Sequence, residues 1–122
     1  MPKKILVIDD ENDLVEMLSF RLEAAGFEMI GASDGLTGIE KAKNDKPDLI
    51  LLDLMMPDMD GFAVADKLRE DEGTKAIPIL LFTAAVSKDL AEKVARLGAV
   101  DCITKPFEPA ELLKKVRNVL ER

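Results

Sequence analysis

Leu49-Ile50-Leu51-Leu52-Asp53-Leu54-Met55-Met56-Pro57-Asp58-Met59-Asp60-Gly61 is a run of aliphatic residues that stops on a carboxylate and then gives way to turn residues. Four consecutive apolar residues without alternation read as a strand covered on both faces, as in a parallel sheet held between helix layers. Asp53 falls at the carboxyl end of that strand, the edge where open α/β sheets bind their ligands. A competing role for Asp53, capping the following turn, requires no chemistry.

The rest of the chain sets bounds on what such a carboxylate serves. A chain of 122 residues is read as one domain, 1–122, and buries about two-thirds of its unfolded surface without a disulfide or structural metal. The single cysteine, Cys102, cannot form an intramolecular bridge and fits a reducing compartment. After the basic Met1-Pro2-Lys3-Lys4 the apolar segment reaches only Ile8, too short for a signal sequence. No apolar run approaches the roughly 18 residues of a membrane span, so a cytoplasmic location is expected. A net charge of −7 argues against direct binding of nucleic acid or an anionic membrane, both of which want a cationic face. The absence of histidine excludes imidazole catalysis and histidine metal ligation.

Outward from the Asp53 strand, two hydrophobic periods alternate. Lys4 to Ile8 is a first buried strand ending on Asp9-Asp10. Leu14, Leu18, Leu22 and Ala25 recur at helical spacing between Glu11 and Ala25, with Gly26 as a left-handed stop. Phe27 to Ala32 is a second strand. Gly35 to Asn44 is a short helix with Asp34 as cap and Leu36, Ile39 and Ala42 turned inward. Pro47 closes the loop before the Asp53 strand, and Gly61 to Arg69 forms a third helix. A fourth strand runs from Ile77 to Thr83, with Pro78 near its start because proline cannot donate to a ladder. Ser87 is expected to cap a fourth helix that runs through Leu97 and stops at Gly98. Ala99 to Thr104 is a mixed fifth strand of edge character. Glu108-Pro109 starts the last helix, with Leu112, Leu113, Val116 and Leu120 inward.

Strands each followed by a helix through short connections predict a doubly wound five-stranded parallel sheet with helices on both faces. If the first and third strands are neighbours, Asp9, Asp10 and Asp53 converge on one crevice. Two carboxylates about 4 Å apart repel by about 4 kcal/mol at an effective dielectric of 20, and a third adds to this. A raised pKa on one acid could relieve the repulsion. A hard divalent cation does so better, and magnesium, with manganese as substitute, suits carboxylates combined with waters and phosphate oxygens. The alternative is that Asp9-Asp10 only cap the helix from Glu11. Thr83 and Lys105 reach the same edge from the fourth and fifth strands. A hydroxyl donor and a cation facing three acids make sense if a phosphoryl group sits on Asp53, with Lys105 and the metal neutralising its oxygens and Thr83 donating to one. Taken singly, Thr83 is an ordinary β-branched strand residue and Lys105 an ordinary surface cation.

The pieces Val7-Ile8-Asp9-Asp10-Glu11, Leu51-Leu52-Asp53-Leu54-Met55-Met56-Pro57, Asp60-Gly61, Thr83-Ala84 and Lys105-Pro106-Phe107, in this order and spacing, resemble the receiver domain of two-component response regulators over the whole chain. The resemblance implies a flavodoxin-like sheet of order 2-1-3-4-5. It implies Asp53 as phosphoacceptor, with Asp10, the Met55 carbonyl and, through water, Asp9 around magnesium, and Thr83 and Lys105 on the phosphoryl group. It further implies a phosphohistidine donor on a separate sensor kinase or phosphotransfer protein, a cis Lys105-Pro106 bond, and a switching surface built from helix four, strand five and helix five. Phosphorylation-dependent homodimers through the fourth and fifth helices fit the same family, whose members include stand-alone receivers and receivers preceding DNA-binding output domains.

Cys102 departs from the family pattern, which carries Tyr or Phe three residues before the lysine, and weaker aromatic-type switching is expected. Met55 and Ala85, two residues beyond Asp53 and Thr83, are apolar and offer attacking water no polar anchor, so a long-lived acyl phosphate is expected. Met17, Phe20 and Phe107 are candidates for docking the kinase's helical hairpin, against the reading that they only edge the core. Rival functions are weaker. A dehalogenase-type phosphohydrolase wants a second aspartate where Met55 stands, and a nucleotide-binding domain wants glycines where Asp9-Asp10-Glu11 stand. A phosphorylation-independent interaction module would not need all five site positions filled.

Overall fold

The computed structural model describes residues 2–57, 59–83 and 90–121. Among the described residues ten elements alternate: β1 (Lys4–Ile8), α1 (Asn12–Ala24), β2 (Glu28–Ala32), α2 (Gly35–Asp45), β3 (Leu49–Asp53), α3 (Gly61–Glu70), β4 (Ile79–Thr83), α4 (Leu90–Leu97), β5 (Asp101–Thr104) and α5 (Pro109–Leu120). The strands form one parallel sheet in the order β2-β1-β3-β4-β5. This is the doubly wound arrangement expected from the buried runs, and it makes β1 and β3 neighbours, pairing Ile8 with Leu52.

Side chains alternate along each strand, so one strand feeds two cores. Ile5 and Val7 of β1, Leu49 and Leu51 of β3 and Leu80 and Phe82 of β4 pack against Leu18 and Leu22 of α1 and Leu112 and Val116 of α5. Leu6, Ile8, Ile50, Leu52, Ile79 and Leu81 face the other way, onto Ile39 and Ala42 of α2, Val64 and Leu68 of α3 and Leu97 of α4. Each fully covered aliphatic side chain contributes about 1.5–3 kcal/mol, which is why the strands hold to their register.

Boundaries follow the predicted punctuation closely. Asp34 caps α2 by accepting the Thr37 N–H at 2.8 Å, and Gly26 and Gly98 close α1 and α4 with positive φ of 95° and 68°. Pro78 stands just before β4, where its carbonyl accepts the Ile50 N–H and its missing donor costs nothing. β4 and β5 each begin two residues later than expected. The expected cap at Ser87 lies outside the described residues.

One expectation is overturned. Leu36 does not face inward; it is 67% exposed. The buried stripe of α2 is Gly35, Gly38, Ile39 and Ala42, which places Leu36 a full residue off the inner face. The helix sits too close to the sheet for a side chain at position 38, because a Cβ there would lie 2.6 Å from Ile8 Cδ1. Two glycines thus set the inner face, and the leucine is left in solvent.

Arg69 of α3 fastens the opposite end of the sheet from the aspartates. Its guanidinium donates to the carbonyls of Lys75 (2.6 Å), Ile77 (3.0 Å), Gly98 (3.2 Å) and Leu97 (3.4 Å). One side chain thereby ties α3 to the loop before β4 and to the carboxyl end of α4. Burial pushes the Arg69 pKa down from its ordinary value.

Candidate functional site

The carboxyl edge of the sheet gathers the predicted residues from four strands. Asp9 follows β1, Asp53 ends β3, Thr83 ends β4 and Lys105 follows β5. Asp9, Asp53 and Thr83 are buried, whereas Asp10 is exposed. Ladder bonds fix the frame, with Leu54 N–H donating to the Phe82 carbonyl at 3.1 Å and Lys105 N–H to the Thr83 carbonyl at 2.9 Å. The Lys105-Pro106 bond is cis, as the family resemblance implied.

Asp9, Asp10 and Asp53 each bring one carboxylate oxygen into a cluster whose members all lie within 4.8 Å of one another. An all-oxygen donor set of this charge fits a hard divalent cation of the magnesium class. Asp9 does act on the helix start, since its Oδ1 accepts the Glu11 N–H at 2.9 Å, but its other oxygen faces the cluster. One oxygen of that aspartate thus holds the residue before α1 and the other accepts from Lys105 Nζ at 2.8 Å. Asp53 likewise divides its oxygens: Oδ1 accepts the Met55 N–H at 3.0 Å, and Oδ2 lies 3.4 Å from Lys105 Nζ. The Met55 side chain itself is 64% exposed.

The electrostatics reflect this crowding. Burial raises the Asp53 pKa above the ordinary carboxylate value; the Met55 N–H opposes the rise, Asp9 adds to it and Lys105 offsets part of it. For Lys105, burial alone would lower the pKa, but its bonds to Asp9 and Glu11 and the charges of Asp9 and Asp53 outweigh burial and raise it. The ammonium stays charged. It lies 2.8 Å from Asp9 Oδ2 and 3.0 Å from Glu11 Oε1, with the Phe82 ring centroid 5.2 Å away. Glu11 is a partner the sequence reading passed over. The available signal was its position directly after the acidic pair, at a helix start that glutamate does not favour as a cap.

Beside this edge, Glu11, Leu14, Met17, Lys105, Pro106 and Phe107 line a groove of about 390 Å³. Met17 and Phe107 thus share one hollow, and Phe107 stacks on Phe82 with ring centroids 6.0 Å apart. Phe20 is 80% exposed and lines an adjacent hollow with Met17 and Arg21. Cys102 is half-buried in β5; burial and the nearby Asp101 charge raise its thiol pKa, which leaves it a poor nucleophile. Ala85 lies outside the described residues.

A family model described as the response regulator receiver domain matches residues 5–117. This chain belongs to that family. The receiver domain is 43% identical over 122 residues to the alkaline phosphatase synthesis transcriptional regulatory protein PhoP of Bacillus subtilis, covering 100% of this chain and 50% of that protein. It is 44% identical over 124 residues to the DNA-binding dual master transcriptional regulator RpaA of Synechocystis, again covering 100% of this chain and 50% of the relative. The chain therefore spans about half the length of these relatives. Among solved structures it superposes on the Vibrio cholerae chemotaxis protein CheY4 with a TM-score of 0.93 at 34% identity, covering 98% of this chain and 100% of the other. Receiver domains are regulatory components of two-component phosphorelay signalling rather than classical enzymes. Among the described residues no helix is long and apolar enough to cross a membrane.

Proposed function

We propose that residues 1–122 act as one cytoplasmic, phosphorylation-controlled switch in which Asp53 accepts a phosphoryl group from a phosphohistidine on a sensor kinase or phosphotransfer protein. The observation that carries this reading is a buried carboxylate, Asp53, set between two further acids and a retained cation, Lys105. A carboxylate oxygen of Asp53 forms the new bond to phosphorus as the bond to the donor nitrogen breaks, and that nitrogen leaves with the electron pair. Asp9, Asp10, Asp53 and the Met55 carbonyl would hold magnesium, or manganese in its place, which when bound neutralises charge on the phosphoryl oxygens. Lys105 supplies a charge-assisted hydrogen bond to one of those oxygens, and the Thr83 hydroxyl donates to another.

The output follows from where Thr83 and Lys105 stand, at the ends of β4 and β5. Their engagement alters the surface of α4, β5 and α5, which a target, an output domain or a second copy of the chain reads. The groove between Met17 and Phe107 receives the helical hairpin of the donor. The domain's own charge of −7 assigns any nucleic-acid binding to another segment or protein. Incubation with acetyl phosphate and magnesium, followed by intact-mass and peptide mass spectrometry, should show one phosphoryl adduct on Asp53. An unmodified Asp53, or an equal adduct in Asp53→Asn, would refute the assignment.

A further inference from the structure

Glu11 stands where a helix-capping residue belongs and does not cap. α2 and α3 begin at Asp34 and Asp60, whose carboxylates accept the N–H groups of Thr37 at 2.8 Å and Ala63 at 2.9 Å. At the start of α1 the Glu11 side chain makes no such bond. Its Oε1 reaches instead to Lys105 Nζ at 3.0 Å. Glu108 at the start of α5 likewise makes no capping bond, so what sets Glu11 apart is its cationic partner.

An ammonium has three N–H donors. Asp9 at 2.8 Å, Glu11 at 3.0 Å and Asp53 at 3.4 Å occupy them. A phosphoryl oxygen arriving at Asp53 must therefore take a donor from one of the three. They are not equally easy to displace. The Asp9 side chain is 0% exposed, and stripping it of Lys105 strands a buried charge, which is costly. Asp53 is the accepting group itself. The Glu11 side chain is 62% exposed, so water replaces the lysine there at little loss.

We infer that Glu11 acts through Lys105, occupying one donor of the ammonium before phosphorylation and giving it up to a phosphoryl oxygen afterwards. This rests on the proposed role of Asp53. Lys105 remains held by Asp9 and Asp53 and backed by the Phe82 ring when Glu11 lets go, so losing Glu11 removes a competitor without freeing the lysine. Glu11 thus restrains the rate of phosphorylation. With acetyl phosphate as donor, an Asp53 oxygen bonds to phosphorus, the phosphorus–oxygen bond to acetate breaks, and acetate leaves with the electron pair. Glu11 exchanges a hydrogen bond only and moves no proton.

The test compares Glu11→Gln with Glu11→Asp, following the Asp53 adduct by mass spectrometry with acetyl phosphate and magnesium. Both variants should react faster than wild type by about two- to fivefold, the range an exposed ion pair is worth. Aspartate keeps the charge but is one methylene shorter and a preferred cap, so it turns to the helix N–H groups and raises the melting temperature. The carboxyl carbon resonance of Glu11 in wild type should move to the value of a solvated glutamate when beryllofluoride with magnesium occupies Asp53. Wild-type rates in both variants, or an unmoved Glu11 resonance, would overturn the inference. Acceleration in Glu11→Gln alone would overturn it too, because Glu11 would then act by repelling the anionic donor and not through Lys105. No adduct in wild type would overturn the phosphoacceptor role beneath it.

Discussion

Replacing Lys105 with methionine keeps an unbranched, apolar stem of similar reach and removes the cation from between Asp9 and Asp53, 2.8 and 3.4 Å away. Unit charges about 4 Å apart interact by about 4 kcal/mol at an effective dielectric of 20, so the lysine offsets repulsion of that order among the acids. Removing one partner of a buried ion pair costs about 3–5 kcal/mol, whereas the exposed arm to Glu11 adds at most about 1 kcal/mol. A loss of about 3 kcal/mol is therefore expected for Lys105→Met in chelator. Read by urea unfolding, this lowers the midpoint by about 1–3 M. Magnesium at 100 times its dissociation constant should return about 2.7 kcal/mol, because it binds only the folded acid cluster. Wild type should gain less at the same magnesium concentration, since its own ammonium already occupies two of the carboxylates and repels the ion. Equal gains from magnesium in the two proteins, or a loss in Lys105→Met that magnesium leaves untouched, would refute the idea that lysine and metal draw on the same charges.

Gly38→Ala should destabilise by about 1 kcal/mol, because overpacking against Ile8 costs about 1–3 kcal/mol while alanine returns up to about 1 kcal/mol of helix propensity. Combining it with Ile8→Ala should give favourable coupling in a double-mutant cycle, and additivity would count against the steric account. Gly61→Ala should be harder to tolerate, since its Cβ would lie 2.6 Å from the Leu54 Cα and 2.7 Å from the Asp53 carbonyl, backbone that cannot step aside; a melting temperature equal to wild type would contradict this. The phosphorylated domain should lose its phosphoryl group several-fold more slowly than Met55→Asn, whose amide offers attacking water an anchor, as followed by decay of the Asp53 adduct. The Thr37 N–H, then the Thr37 hydroxyl, lower the Asp34 pKa below 3.8, so its stabilisation is complete above that value and is lost as pH falls through the folded-state pKa. Urea midpoints of wild type and Asp34→Asn should accordingly converge on the acid side of about pH 4, and parallel curves would exclude the linkage.

The architecture was legible because its three central strands, β1, β3 and β4, are almost wholly buried. Leu49-Ile50-Leu51-Leu52 admits no solvent face, and acids at the ends of two such strands meet once the sheet is parallel. The cluster of Asp9, Asp10, Asp53 and Lys105 also needs β1 beside β3 and β5 beyond β4, an order that the family resemblance implied and the buried runs alone did not. Periodicity failed at Leu36, where the largest apolar residue in the first turn lost the inner face to Gly35 and Gly38, because closeness of backbone rather than hydrophobicity decided the rotation of the helix. It missed Glu11 because a long side chain at a helix start can bend away from its own helix, and no local pattern records a partner 94 residues distant. Arg69 was invisible for the same reason, since its acceptors are main-chain carbonyls that carry no residue identity.

With its guanidinium bonded to the Leu97 and Gly98 carbonyls, Arg69 acts on α4 as a pin at one end of a lever. The described part of that helix, Leu90–Leu97, spans about 12 Å, so a 10° swing about the pinned end would carry position 90 roughly 2 Å. The anchorage therefore ties the carboxyl end of α4 to α3 more firmly than packing alone would.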